Sequence, residues 1–107
     1  MKLTSVGQVI ATRSIRYEGS KDVAFVVKIG LPQPFRDAGD FYCPVQIMRS
    51  SDDEAPVSYS VGIDSVHALQ LAMKNAGGIL FGINERCGGR LRWDGDENGD
   101  LGFPLPI

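Results

Sequence analysis

The chain has 107 residues, of which 43% are hydrophobic and 22% are charged, and its formal net charge is −2. This length fits a single domain spanning residues 1–107, large enough to bury a core and too short for two domains. The basic residues are scattered singly along the chain. This scatter argues against the dense basic stripe of a nucleic-acid-binding protein.

The first thirty residues predict two antiparallel strands joined by a hairpin turn over residues 18–22. Apolar side chains recur at every second position, which is typical of strands buried on one face; they are Val9, Ala11, Ile15, Tyr17, Val23, Phe25, Val27 and Ile29. Arg13 interrupts the first apolar face, so we expect a bulge or a sheet edge there.

Residues 30–40 contain two prolines and two glycines, which predicts a loop without regular structure. The third strand follows, with Phe41, Cys43, Val45 and Ile47 sharing one face. Pro44 cannot donate to a ladder, so it indicates an edge or a bulge. The fourth strand alternates cleanly, and we expect its apolar residues to face the core and its small ones to face solvent: Val57, Tyr59, Val61 and Ile63 against Ser58, Ser60 and Gly62.

The apolar period then changes to three and four residues, which predicts one long amphipathic helix capped by Asp64. Its expected buried stripe is Val66, Leu69, Met73, Ala76, Leu80 and Ile83, widened by Ala72 and Ile79. The pair Gly77-Gly78 disfavours a helix. Because the stripe continues in phase on both sides, we expect a close approach by the backbone of the sheet rather than a kink.

The remaining chain predicts a fifth strand over residues 89–93, with Leu91 and Trp93 inward, and an apolar tail over residues 101–107. This tail would cover a sheet edge or serve as a docking strip. The complete prediction is an α+β fold. It comprises a four-stranded antiparallel meander, one long helix packed on the sheet, a fifth strand and a short extended C-terminal tail.

The motifs for metal or catalytic chemistry are incomplete. Residues 94–100 match the first half of an EF-hand loop, but Leu105 stands where the closing glutamate belongs. No metal site is therefore predicted, and weak binding of calcium by this loop is the alternative. The single histidine, His67, lies one helical turn from Asp64 and Ser65, which cannot form a relay with it. We therefore expect neither catalytic residues nor a cofactor.

The two cysteines, Cys43 and Cys87, lie outside any CxxC pair and are expected to be reduced thiols, although one bridge between them remains open. The N-terminus lacks an apolar run of signal-peptide length, and no stretch approaches the about 20 apolar residues of a membrane span. We therefore expect the protein to be cytoplasmic and not to contact a membrane.

The acidic residues are concentrated in the second half of the chain. Residues 1–50 contain seven Lys or Arg and four Asp or Glu, a balance of +3, whereas residues 51–107 contain four and nine, a balance of −5. Clustered acids can steer a basic protein partner, and the alternative is that they are solvated loop charges. The predicted partner-binding residues are Asp52, Asp53, Glu54, Asp94, Asp96, Glu97 and Asp100.

Several large apolar residues fall outside the predicted core pattern, namely Tyr17, Phe35, Tyr42, Leu71 and Phe81. Some of them are candidates for an exposed patch, which would imply a protein partner. The alternative is that each is covered by a loop.

Four motifs together resemble an uncharacterised family of small bacterial proteins. They are Gly62-Ile63-Asp64, then Ala68-Leu69 with Leu71-Ala72, then Trp93-x-Gly95, and the ending Asp100-Leu101-Gly102-Phe103-Pro104. Phe41-Tyr42-Cys43-Pro44 resembles that family's third strand, and the resemblance covers roughly the last two-thirds of the chain. It implies no known activity. Its members are small and stand alone, as bacterial immunity proteins do.

Four functions follow in order of preference. The first is a protein-binding module, most concretely an immunity or antitoxin protein that neutralises a toxin. The second is a small-molecule binder with a pocket between the sheet and Gly77-Gly78. A subunit of a larger assembly, joined through the apolar tail, is also open, and an enzyme is the least expected.

Overall fold

A computed structural model describes residues 1–36, 39–96 and 98–104 of the chain. One helix packs on one face of an antiparallel sheet, so the α+β prediction is confirmed. The described residues form six strands rather than five. In chain order the elements are β1 (Val9–Tyr17), β2 (Val23–Gly30), β3 (Gln33–Phe35), β4 (Asp40–Arg49), β5 (Val57–Gly62), α1 (Ser65–Arg86) and β6 (Leu91–Arg92).

The strand with the most partners is β4, which pairs with β2, β3 and β5. Both β3 and β5 pair with Phe41 and Tyr42, while both β2 and β5 pair with Val45 and Gln46. Because a strand has only two edges, β2 and β3 must lie along one edge of β4 and β5 along the other. The strand order is therefore β5-β4-β2-β1-β6, with β3 continuing β2, and the predicted four-stranded meander is β1, β2, β4 and β5.

The prediction that residues 30–40 lack regular structure is wrong for β3. Gln33, Pro34 and Phe35 pair with Tyr42, Phe41 and Asp40 of β4. No described strand pairs with the other side of β3, and an edge is the position where a sheet tolerates proline. Asp37 and Ala38 lie outside the described residues.

Pro44 lies in β4, an interior strand, and not at an edge as predicted. It faces the break between β2 and β3 in the ladder along one side of β4. The amide of Leu31 donates to the carbonyl of Gln8 on the β1 side, so the N–H and C=O of Gly30 point towards β4. Gly30 has no donor opposite it in Pro44, and its carbonyl accepts instead from Cys43 Sγ at 3.4 Å. The thiol therefore takes the place of the amide that proline lacks.

The faces of β5 are the reverse of the prediction. Residues directly opposite each other share a face of the sheet, and the core residues Cys43 and Val45 lie opposite Ser60 and Ser58. Asn75 of the helix donates to Ser58 Oγ at 3.1 Å. The serines and Gly62 therefore face α1, while Val57, Tyr59 and Val61 face outward.

The close approach of α1 explains this reversal. A Cβ atom on Gly62 would lie 2.8 Å from the backbone carbon of His67 and 2.9 Å from Ala68 Cα. Only small side chains fit between β5 and the helix. The branched and aromatic side chains of β5 must then occupy its other face.

The helix begins as predicted, since Asp64 Oδ1 accepts from the His67 amide at 2.7 Å. Its buried stripe is shifted, however, towards small residues: Ala68, Ala72, Ala76, Gly77 and Leu80. Val66, expected to be buried, is 61% exposed, and Ile79 is also exposed. Small side chains on the helix allow it to pack closely against the small residues of β5. The helix continues without a break through Gly77-Gly78, so the predicted absence of a kink is confirmed.

Two glycine substitutions should change stability in opposite directions. Gly62→Ala should lower the free energy of unfolding by about 1–3 kcal/mol, because its methyl group overlaps the first turn of α1. The control Gly82→Ala should raise that free energy by about 0.5–1 kcal/mol, because its nearest neighbour is the end of the Arg86 side chain at 3.8 Å. Urea denaturation measures both, and equal effects would contradict the close packing.

Candidate functional site

The helix packs mainly against β4 and β5. The described residues between Trp93 and Pro104 form a C-terminal segment that covers the inner face of β1 and β2. Phe103 lies among the inward residues of those strands and contacts the same cavity as Val27 and Met73. The prediction that the tail covers an edge is therefore wrong for residues 101–104, which pack on a face. Residues 105–107 lie outside the described part of the chain.

Arg13 anchors this segment. Its guanidinium carbon lies 3.7 Å from the ring centroid of Trp93 and 4.9 Å from that of Phe103. Its Nη1 donates to the carbonyl of Leu101 at 3.0 Å. Arg13, which interrupts the apolar face of β1, thus binds the ring of Trp93 and, in the tail, the ring of Phe103 and the carbonyl of Leu101. β1 does have irregularities, between Val9 and Ala11 and between Ile15 and Arg16, but the bulge expected at Arg13 is absent because Arg13 pairs in register with Val27.

Gly77 admits the tail against the helix. A Cβ atom there would lie 2.6 Å from the carbonyl oxygen of Pro104 and 2.9 Å from Phe103 Cβ. The predicted close approach at Gly77 is confirmed, but the approaching backbone belongs to the tail and not to the sheet.

A cleft of about 300 Å³ lies between α1 and the tail. Gly77, Phe81 and Asn84 line one side, and Asp100, Leu101 and Phe103 line the other. Asn84 Oδ1 accepts from the Leu91 amide, and Asp100 Oδ1 accepts from the Gly102 amide. Most of the exposed surface that lines the cleft is apolar, so this is mainly what the cleft offers a ligand.

The outer face of the sheet carries an aromatic cluster, which we define as Phe35, Tyr42 and Tyr59. The ring centroids of each pair lie 6.1–6.2 Å apart. Tyr42 meets both Phe35 and Tyr59 edge to face. The guanidinium carbon of Arg36 lies 4.8 Å from the Phe35 centroid. No described helix covers this face. Phe35 and Tyr42 were among the residues predicted to lie outside the core, and both lie on the face of the sheet opposite the helix.

The acidic residues occupy two separate places. Asp52, Asp53 and Glu54 are exposed in the loop between β4 and β5. The others follow β6 on the opposite side of the sheet: Asp94, Asp96 and Asp100, with Glu97 outside the described residues. The six predicted residues that the structure describes therefore do not form one patch.

The second acidic group is also tied into the protein's own structure. Asp94 Oδ1 lies 3.5 Å from Arg16 Nε, so the two side chains form an ion pair. Asp96 and Asp100 accept hydrogen bonds from the amides of Asn98 and Gly102. Among the described residues, no group of three or more His, Cys, Asp or Glu is placed to hold a metal ion.

The single histidine and the buried cysteine have local structural partners. His67 Nδ1 accepts from the Ile63 amide at 3.1 Å, at the start of the helix. Burial raises the pKa of the Cys43 thiol from 9.0 to about 11, so the group remains a protonated donor to Gly30 at neutral pH. Cys43 and Cys87 are both free, so the bridge between them is not formed.

Comparison with known proteins identifies a family. Residues 11–105 match the family model described as "Domain of unknown function (DUF6968)". No curated protein and no solved structure matches the chain significantly. Across the described ranges, no helix combines the length and the hydrophobicity needed to cross a membrane.

Removal of the Arg13 side chain should release the tail. Because Trp93 is the chain's single tryptophan, its fluorescence reports the contact directly. Arg13→Ala should shift Trp93 emission to longer wavelength, increase its quenching by acrylamide, and lower the free energy of unfolding by about 1–2 kcal/mol. Arg13→Lys should give values of all three between those of the unmodified chain and Arg13→Ala, since an ammonium group does not stack as a planar guanidinium does.

The control is Arg90→Ala, which removes an exposed arginine close to β6 in the chain. It should leave both the emission and the quenching of Trp93 unchanged. Unaltered quenching in Arg13→Ala would show that the tail is held by other contacts.

Proposed function

Because the chain belongs to this family of unknown function, we propose from its own surface that it is a cytoplasmic protein-binding module that acts without catalysis. The observation that supports this proposal is the aromatic cluster on the uncovered face of the sheet. Aromatic residues and arginine are the residue types enriched where protein interfaces gain most of their affinity.

The construction of the aromatic cluster suits recognition. Phe35, Tyr42 and Tyr59 come from three paired strands, so the backbone positions of all three are fixed by the ladder. Each ring contacts the other two, and side chains held in this way lose little conformational entropy when a partner binds. Arg36, stacked on Phe35, adds a charged group at the rim.

The more specific form of the proposal is an immunity or antitoxin protein whose partner is a basic toxin. In this form the exposed acids of the β4–β5 loop, Asp52, Asp53 and Glu54, attract the basic surface and raise the association rate. Of the two acidic groups this one is the better candidate, because Asp94 already has Arg16 beside it.

The test is capture of partners from the native cell lysate, followed by affinity measurements on the purified partner. Tyr42→Ala should weaken binding at least about tenfold, as expected for a residue at the centre of an interface. The triple variant D52N/D53N/E54Q should slow association at low salt and have little effect at high salt.

The matched control is Phe81→Ala, which removes an aromatic side chain that is 55% exposed on α1, away from the outer face. It should bind as the unmodified chain does. A partner that binds Tyr42→Ala with undiminished affinity would overturn the proposed surface, and an unchanged association rate in the triple variant would remove the acidic loop from it.

A second candidate function, binding of a small apolar molecule, is favoured by the cleft between α1 and the tail. Its volume of about 300 Å³ is at the lower end for small-molecule sites, and its walls are mainly apolar. This position corrects the expected pocket between Gly77-Gly78 and the sheet, because the tail forms the opposite wall.

Thermal denaturation in the presence of a metabolite library tests this candidate. A compound that binds the folded chain should raise the melting temperature in proportion to the logarithm of its concentration. Phe81→Trp, which fills the cleft, should abolish the shift, whereas Tyr42→Ala should retain it. A shift that survives Phe81→Trp would place the ligand elsewhere.

A further inference from the structure

The outer edge of β5 has no strand beside it among the described residues. Pro44 lies between Gly30 of β2 and Tyr59 of β5. Because the Leu31 amide points to β1, the backbone groups of Gly30 point to β4, and those of Pro44 point back to β2. Pro44 and Tyr59 therefore form a non-hydrogen-bonded pair, and the N–H and C=O of Tyr59 point to the free edge. By alternation, those of Val57 and Val61 do the same.

This edge carries a sequence that reads identically in both directions, Val57-Ser58-Tyr59-Ser60-Val61. When such a strand pairs antiparallel with its own copy about Tyr59, Val57 meets Val61, each serine meets a serine and Tyr59 meets Tyr59. The backbone groups that point outward at Val57, Tyr59 and Val61 then face one another as hydrogen-bonded pairs, each exchanging two bonds.

We propose that β5 pairs with β5 of a second copy of this chain, antiparallel and centred on Tyr59, to join two sheets in a symmetric dimer. An interface of this kind uses the same patch on both subunits. The proposal does not depend on the function proposed above.

The edge of β5 lacks the features with which sheets prevent such pairing. Charged side chains, proline and bulges usually protect an edge, and β5 contains none of these between Val57 and Gly62. At the opposite side of the sheet, β6 covers Arg16 and Tyr17 of β1, and the rest of β1 carries Arg13 and an irregularity after Val9. The third free edge, that of β3, carries Pro34. The unprotected edge is thus the one whose sequence matches itself.

Apolar side chains extend the surface beyond the strand. Ile63 is 76% exposed and Val66 61% exposed, directly after β5. In the proposed register Ile63 lies opposite Ala55 of the second copy. The ladder ends there, because the Ile63 amide already donates to His67.

The pairing also has a consequence for the outer face. Tyr59 of one copy would lie directly across from Tyr59 of the other, which brings the two aromatic clusters side by side. One strand pair buries less than the about 800 Å² per partner of a typical stable interface. We therefore expect a dimer in concentration-dependent equilibrium with the monomer.

Sedimentation velocity from micromolar to millimolar concentration tests the proposal. The unmodified chain should shift from monomer to dimer. V57K/V61K places like charges opposite each other across the dimer and should remain monomeric. V57E/V61K should restore the dimer, because the two-fold axis sets each introduced glutamate against an introduced lysine in this register alone.

Two further variants make the result specific. V9K/V23K introduces the same two charges at exposed valines far from β5, and it should dimerise as the unmodified chain does. Val61→Pro removes an amide that points to the free edge and not to β4, so it should block the dimer while Trp93 fluorescence remains unchanged.

A chain that is monomeric throughout this range, or a dimer that V57K/V61K does not dissociate, would overturn the proposal. Failure of V57E/V61K to restore the dimer would overturn the register centred on Tyr59. A monomer whose binding to a different protein is lost in V57K/V61K would overturn self-pairing and assign the edge to a strand of that protein.

Discussion

The close contact between α1 and β5 determines the arrangement of the rest of the molecule. Because Gly62 and the serines of β5 meet the alanines of α1, the helix axis lies over β4 and β5 and not over the middle of the sheet. A helix is about 10 Å wide and strands are about 4.8 Å apart, so one helix covers about two strands. Two consequences follow, one on each face of the sheet.

On the inner face, β1 and β2 must be covered by something other than the helix. The chain does this with Trp93, Leu101 and Phe103 of the C-terminal segment, and Arg13 provides its attachment. A guanidinium suits this position, because its planar surfaces can stack on Trp93 and Phe103 while its edge donates to the carbonyl of Leu101. On the outer face, Tyr59, which the close helix contact keeps off the inner face of β5, joins Phe35 and Tyr42 in the aromatic cluster.

The sequence was sufficient for the class and order of the main elements. Periods of two and of three to four residues distinguish strands from the helix, and Asp64 marks the start of α1. The choice of face was wrong for β5. Alternation separates Val57, Tyr59 and Val61 from Ser58 and Ser60, but it does not reveal which set meets a helix that comes too close for large side chains. The same contact explains the exposure of Val66.

The candidate sites depend on contacts that no local pattern contains. The aromatic cluster combines Phe35 from a segment predicted as a loop, Tyr42 from outside the core pattern and Tyr59 from an expected core face. The sequence offered a signal for two of them, because Phe35 and Tyr42 did not fit the predicted core. For Arg13 the signal was its interruption of an apolar face, which we interpreted as an irregularity of the backbone and not as an attachment point.

The position of the tail's attachment also bears on how the chain folds. The hydrogen bond from Arg13 to Leu101 joins residues 88 positions apart, so the inner face of β1 is covered only by a contact between distant parts of the sequence. Contacts of long sequence separation are slow to form, because loop-closure entropy must be overcome first. During synthesis, β1 and β2 emerge long before the segment that covers them. Their apolar inner face then remains open until residue 103 leaves the ribosome, and open apolar surface of this kind favours aggregation of the nascent chain.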